Sequence, residues 1–222
     1  MDADKLAMII LLAPGAILAI ALHEAMHGYA ANRFGDPTAK LLGRLTLNPF
    51  KHIDPIGTII VPAFLFYFGG FLFGWAKPVP VNLLNLGQPK RDMAFVAGAG
   101  PAANLLLAFI ASGLLYLIGP LLNLGFSERV LHTVFIPLII MLVLMLRFNI
   151  MLMLFNLIPV PPLDGGRIMT SVLPQKASEW YASIEPFGMF IIIGLLMMDS
   201  YVPLFSKRSE ERRVGKECRS RW

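Results

Sequence analysis

The sequence predicts an all-α polytopic membrane protein: a bundle of about four to five transmembrane helices with a re-entrant segment and short surface strands. Two observations carry that expectation. Of 222 residues, 56% are hydrophobic and only 15% charged, with a mean hydropathy of +0.67, which is too apolar for a water-soluble domain of this length. The apolar residues are also grouped, because four stretches, at roughly 5 to 31, 93 to 119, 130 to 158 and 184 to 205, each reach the ~20 residues a helix needs to cross a bilayer. The same composition excludes disorder, and 19 glycines and 17 prolines scattered without a period exclude a collagen-like chain.

The first apolar stretch outruns the apolar region of a cleaved leader and lacks a basic start, so it reads as a retained helix. After it, the run GDPTAKLLGRLTLNPFKHIDPIG is punctuated by Gly, Pro, Asn and Asp around the alternating Leu45-Thr46-Leu47, which predicts a loop with a short strand or hairpin at the membrane surface. A further apolar piece, Thr58 to Phe73, is short and interrupted by Pro62 and the pair Gly69 and Gly70. A second extended stretch, Lys77 to Asn82, leads into the 93 to 119 helix. Pro159, Pro161 and Pro162 then end the 130 to 158 helix. There is no internal repeat and no soluble appended unit, so 1–207 reads as one membrane domain.

The formal charge of +5 is local. Residues 208–222, RSEERRVGKECRSRW, hold six basic and three acidic residues, leaving a net +2 over the first 207. This excludes a nucleic-acid partner and points to the lipid bilayer instead. The tail breaks abruptly from the apolar run before it and resembles the in-frame translation of a sequencing-adapter oligonucleotide. It is read as non-native and set aside together with Cys218, the only cysteine, so disulfides and thiolate metal sites are not expected.

Chemistry concentrates in the first helix, at His23-Glu24-Ala25-Met26-His27. The i, i+4 spacing places two imidazoles one turn apart on one face, where both can bind a single Zn2+, and the intervening Glu24 is close enough to take a proton from water there. Ionisable residues in a membrane helix cost about 2.5 to 3.5 kcal/mol each on insertion scales, so their presence points to function. A catalytic zinc generally has three protein ligands. His52 and His132 are available, but Asp164 is the better candidate, lying in Asn156-Leu157-Ile158-Pro159-Val160-Pro161-Pro162-Leu163-Asp164-Gly165-Gly166. Taken alone that segment fits a site wall and an ordinary Pro-Gly turn equally well, and the upstream histidines tip the balance. Asn104 reads either as helix-packing glue or as a contact to substrate backbone. Asn156, directly before the proline break, is the better site candidate. Arg147 and Asn149 suggest a local polar cavity or a helix break, and His52 reads as a solvated loop residue.

These residues resemble the site-2 protease family of intramembrane zinc metalloproteases, in particular its small bacterial members without PDZ-like or CBS-like domains. The resemblance runs through about residue 205 and rests on HEAMH, GDPTAKLLGRLTLNP, KHIDPIGT, GWAKPVPVN, AGPAAN and FNLIPVPPLDGGR. It implies zinc bound by His23, His27 and Asp164, Glu24 as general base, and the amides of Asn104 and Asn156 near the substrate path. It also implies a multi-pass protein of the bacterial plasma membrane whose substrates are transmembrane proteins.

For all three ligands to reach one ion, the first helix and the 130 to 158 helix must run parallel. With 93 to 119 crossing between them, that requires 58 to 73 to be re-entrant and both flanking basic loops to share the cytoplasmic side. The expected activity is hydrolysis of peptide bonds in or near transmembrane segments. Two other readings stand beside it, a non-enzymatic metal transporter and a catalytically silent scaffold that binds membrane proteins.

Overall fold

The computed structural model describes residues 3–52, 54–61, 64, 76–188, 190 and 194. Three long helices dominate: α1 (Ala3–Arg33), α3 (Pro89–Leu122) and α4 (Glu128–Asn156), with the one-turn α2 (Thr38–Leu41) after α1. The short helices α5 (Asp164–Val172) and α6 (Gln175–Ala182) follow α4. The long three agree with the sequence reading to within a few residues at each end, and each is long and apolar enough to cross a membrane. Gly125, at φ +77°, makes the tight turn between α3 and α4, and the Ser127 side chain caps α4 by accepting from Val130 N–H.

The three helices pack against one another through small side chains. Ala19, Ala31, Ala97, Ala103, Ala108 and Ala111 are buried, whereas Phe109, Leu117, Tyr116 and Met151 lie exposed. That distribution inverts the pattern of a water-soluble bundle and suits a lipid surround, where close backbone approach rather than oily burial holds helices together. The chain is a membrane protein. An apolar cluster of Ala111, Ile118, Phe135 and Leu142 joins α3 and α4 at the end away from the histidines.

The directions of the helices follow from their contacts. A Cβ on Gly15 would sit 3.1 Å from Met145 Cβ, and Asn104 reaches Ala19 O and Asn149 Oδ1 together, so residue numbers rise in step along α1 and α4, which are parallel. Val96 meets His27 while Asn104 meets His23, so α3 is antiparallel to both. The chain leaving α1 and the chain entering α3 lie side by side: Gly87 N–H donates to Phe34 O at 3.2 Å, and Phe34 stacks on Phe95.

Asp36 makes that junction. It is 0% exposed and accepts from Thr38 N–H, the Thr38 hydroxyl, Asn82 N–H at 2.7 Å and Asn85 Nδ2 at 2.9 Å. Burial works toward the neutral carboxyl, but the hydrogen bonds from Thr38, Asn85 and Asn82 outweigh it and hold Asp36 below the usual aspartate range.

Two expectations are corrected here. Among the described residues there is no strand: 45 and 46 are bends, 47 and 48 are irregular, and 77–82 joins no sheet. The physical reason lies in where the N–H groups of 77–82 go. Lys77 N–H donates to His52 O, Val79 N–H to Glu24 and Asn82 N–H to Asp36, while Pro78 and Pro80 have none to offer. His52 is not a solvated loop residue either. It is 3% exposed, and its Nε2 lies 2.8 Å from Thr46 O, to which it donates. The re-entrant stretch 58–73 and the helix at 184–205 fall largely outside the described residues, and the tail 208–222 with Cys218 falls wholly outside them.

Because the folded carboxyl of Asp36 has a depressed pKa, its stabilisation is complete above the unfolded value of about 3.9 and is lost as pH falls through the lower folded value. Asp36→Ala is expected to cost about 3 kcal/mol, since it leaves buried donors without an acceptor. Thermal unfolding in detergent micelles checks this: the variant melts earlier at neutral pH, and equal melting of the two proteins would contradict the assignment.

Candidate metal centre

On α1, the i, i+4 spacing brings the His23 and His27 rings to a centroid separation of 4.7 Å, nearly edge to face at 87°. Their Nε2 atoms are 3.1 Å apart. Asp164 completes a triangle, with Oδ2 3.1 Å from His23 Nε2 and Oδ1 3.3 Å from His27 Nε2. All three side chains are buried, at 5%, 8% and 6% exposure.

Local sequence puts Asp164 there. The prolines end α4, Leu163 N–H turns back onto Val160 O at 3.0 Å, and α5 begins at Asp164, where a carboxylate suits the positive end of the helix. A Cβ on Gly165 would lie 2.3 Å from Leu157 O, and one on Gly166 2.5 Å from Pro161 N, so only glycine allows α5 to nest against the turn. On α3, Gly100 has the same role toward the histidines, because a Cβ there would fall 2.5 Å from His27 Nε2 and 2.7 Å from His23 Cε1.

The far side of each ring decides where its proton sits. His27 Nδ1 lies 2.7 Å from Val96 O, and His23 Nδ1 lies 2.5 Å from Asn104 Oδ1. Both partners accept, so each Nδ1 carries the hydrogen and each Nε2 presents a lone pair. Two lone pairs and a carboxylate thus face one another within 3.3 Å, and Asp164 Oδ2 is buried without a hydrogen-bond partner. A shared proton relieves one of these contacts. A dication relieves all three, and ligands about 2.0 to 2.1 Å from a tetrahedral zinc stand about 3.3 to 3.4 Å apart. The donor set fits zinc.

Glu24, half-buried, stands outside this triangle. Its Oε2 accepts at 2.9 Å from Val79 N–H, the one backbone donor between Pro78 and Pro80, which orients the carboxylate. Asn104 sits behind His23 with its amide engaged at both ends and no exposed surface. Asn156 is half-buried at the end of α4, its Nδ2 donating to Leu152 O at 3.0 Å, and no hydrogen bond joins it to the histidines or to Asp164. His52 is held elsewhere, and among the described residues the close metal-ligating group is His23, His27 and Asp164. Sequence reasoning left Asn149 undecided, although an amide in so apolar a helix was itself the signal. The acceptor Val96 O and the donor Val79 N–H leave no trace in a sequence, because backbone groups carry no residue signature.

The profile of Peptidase family M50 matches residues 11–198. The chain belongs to peptidase family M50. It is 38% identical over 188 residues to "Putative zinc metalloprotease YwhC" of Bacillus subtilis, covering 84% of this chain and 80% of that protein. It is 31% identical over 188 residues to "Putative zinc metalloprotease Rip2" of Mycolicibacterium smegmatis, covering 85% and 67%. No solved structure matches the chain.

Gly100→Ala is expected to drive the two imidazoles apart and lower bound metal about tenfold or more. Gly98→Ala, where a Cβ meets nothing within 4 Å, leaves it unchanged. Elemental analysis of the purified proteins reads this, and full metal occupancy in Gly100→Ala would contradict the packing argument.

Proposed function

We propose that this M50 peptidase is an intramembrane zinc metalloprotease that hydrolyses peptide bonds in or near transmembrane segments of other membrane proteins. The observation that carries the reading is the convergence of His23, His27 and Asp164 with Glu24 one residue from the first ligand. Those three side chains would hold zinc, which supplies Lewis acidity toward water and the scissile carbonyl when bound. Glu24 takes the proton from the attacking water and passes it to the leaving amine. Its carboxylate is steadied by Val79 N–H through Oε2, so the oxygen facing the reaction keeps one orientation. The His23 and His27 rings are held by Asn104 and Val96 O, so neither has to reorganise during the reaction.

A substrate helix hides its carbonyls in its own hydrogen bonds and must unwind before cleavage. Strand addition to this chain falls to 45–47 rather than 77–82, because the N–H groups of Lys77, Val79 and Asn82 are already bonded, whereas at 45–48 the bonded groups are Asn48 N–H and Thr46 O. A cavity of about 200 Å3 beside that segment, lined by Ala25, Met26, Tyr29, Leu45, Thr46 and Leu47, suits an apolar side chain of the substrate. Asn156 is the amide we assign to the substrate side of the site. Asn104 acts from behind His23.

The surrounding architecture we read as four to five membrane elements within 1–207, with 58–73 re-entrant and 208–222 a non-native tail. The adjacency of Phe34 to Gly87 supports the re-entrant course, since it brings the chain back to the end of the bundle it left. The basic loops on either side then share the cytoplasmic face of a bacterial plasma membrane.

Glu24→Gln separates protease from transporter and scaffold. Zinc content is expected to stay at the wild-type level while cleavage of a co-expressed single-span membrane protein falls by at least about 100-fold. Persistent cleavage removes Glu24 from the mechanism, and zinc flux through the variant favours transport.

A further inference from the structure

We propose that Asn149 is a positioning residue: through Asn104 it fixes the tautomer of His23, so that the ring's Nε2 faces the metal position as a bare lone pair. The consequence for zinc rests on the protease reading above, whereas the tautomer itself does not.

Hydrogen-bond polarity is relayed across three helices. An amide side chain has nearly the same shape either way round, so its neighbours decide which end is oxygen. The chain starts from a group that cannot turn. Met145 C=O on α4 only accepts, and it faces Asn149 Nδ2 at 2.9 Å. That directs Asn149 Oδ1 toward α3, where it accepts from Asn104 Nδ2 at 3.0 Å, with a longer 3.4 Å contact from the same Nδ2 to Ala19 O. Asn104 Oδ1 is thereby turned to α1, 2.5 Å from His23 Nδ1. The ring must hold its hydrogen there and leave Nε2 bare toward His27 and Asp164.

Both asparagines are 0% exposed, so water does not compete for these groups. His27 needs no such relay, because its Nδ1 bonds directly to Val96 O, a backbone carbonyl with one possible polarity. The asymmetry makes the proposal specific. Without Asn149 the Asn104 amide keeps only the longer 3.4 Å bond from Nδ2 to Ala19 O, so its polarity is held less firmly; in the reversed fraction Nδ2 selects a bare Nδ1 on His23, and the hydrogen moves to Nε2, where it points at the cation's place. His27 is untouched.

The experiment uses the full chain in detergent micelles with 15N-labelled histidine, stripped of metal by a chelator, as wild type, Asn149→Leu and Asn149→Ala. Nitrogen chemical shifts distinguish Nδ1–H from Nε2–H imidazole. The same proteins are then titrated with zinc against a chromophoric chelator. The spectra are read at alkaline pH, where both rings are neutral, and in wild type both His23 and His27 are expected there as single Nδ1–H tautomers. In the variants His23 becomes a mixture while His27 stays as it was, and zinc affinity falls about 10- to 100-fold. A tautomer shift with unchanged zinc affinity would support the relay and count against the zinc reading. His23 remaining wholly Nδ1–H in both variants would overturn the proposal. So would a change at His27 as large as that at His23 in both, since Asn149 would then be a packing residue only.

Discussion

Three groups that repel one another are held within 3.3 Å inside an apolar bundle, and the rest of the structure is arranged around that constraint. In a low-dielectric interior, opposed lone pairs and an unpaired carboxylate are far more costly than in water, and a polar group without a partner is costly too. The fold answers both demands. Each imidazole is tied at Nδ1 to an acceptor, which commits the opposite nitrogen to the centre, and the centre is left with the electron density that a dication requires.

Holding such a cluster between apolar helices needs helices that approach closely. Gly100 admits the histidine rings against α3, Ala19 lies where Asn104 crosses to α1, and Gly165 with Gly166 lets the Asp164 turn fold back on the end of α4. Larger side chains such as Phe109 and Tyr116 face outward, where lipid solvates them. The contribution of each small residue is therefore geometric: it sets the distance at which polar groups on different helices meet. The stretch 77–82 follows the same logic, since two prolines leave Val79 as the donor that reaches Glu24.

Much of this was legible in the sequence, for reasons that differ by residue. His23 and His27 were readable because helical periodicity alone fixes their separation, and the parallel course of α1 and α4 followed from requiring three ligands to meet. Asp164 was ambiguous on its own, because a Pro-Gly turn looks the same whether or not its carboxylate points inward. The surface strands failed because alternation of apolar and polar residues reveals neither that Asn48 N–H turns onto the Thr46 hydroxyl and Thr46 O accepts from His52, nor that Asp36 and Glu24, more than 40 residues away, take N–H groups of 77–82. His52 looked solvated since its partners, Thr46 O and Lys77 N–H, are backbone groups. Asn149 stood out as a polar residue, but its work depends on a carbonyl one turn away and an amide on another helix.

The central claim is that His23, His27 and Asp164 converge on one zinc ion, and X-ray absorption at the zinc edge of the purified, detergent-solubilised protein tests it most directly. The account predicts one tightly held zinc with two imidazole nitrogens and carboxylate oxygen at about 2.0 to 2.1 Å, and an altered first coordination sphere in Asp164→Ala. A protein that retains no zinc, or a spectrum identical in wild type and Asp164→Ala, would contradict it.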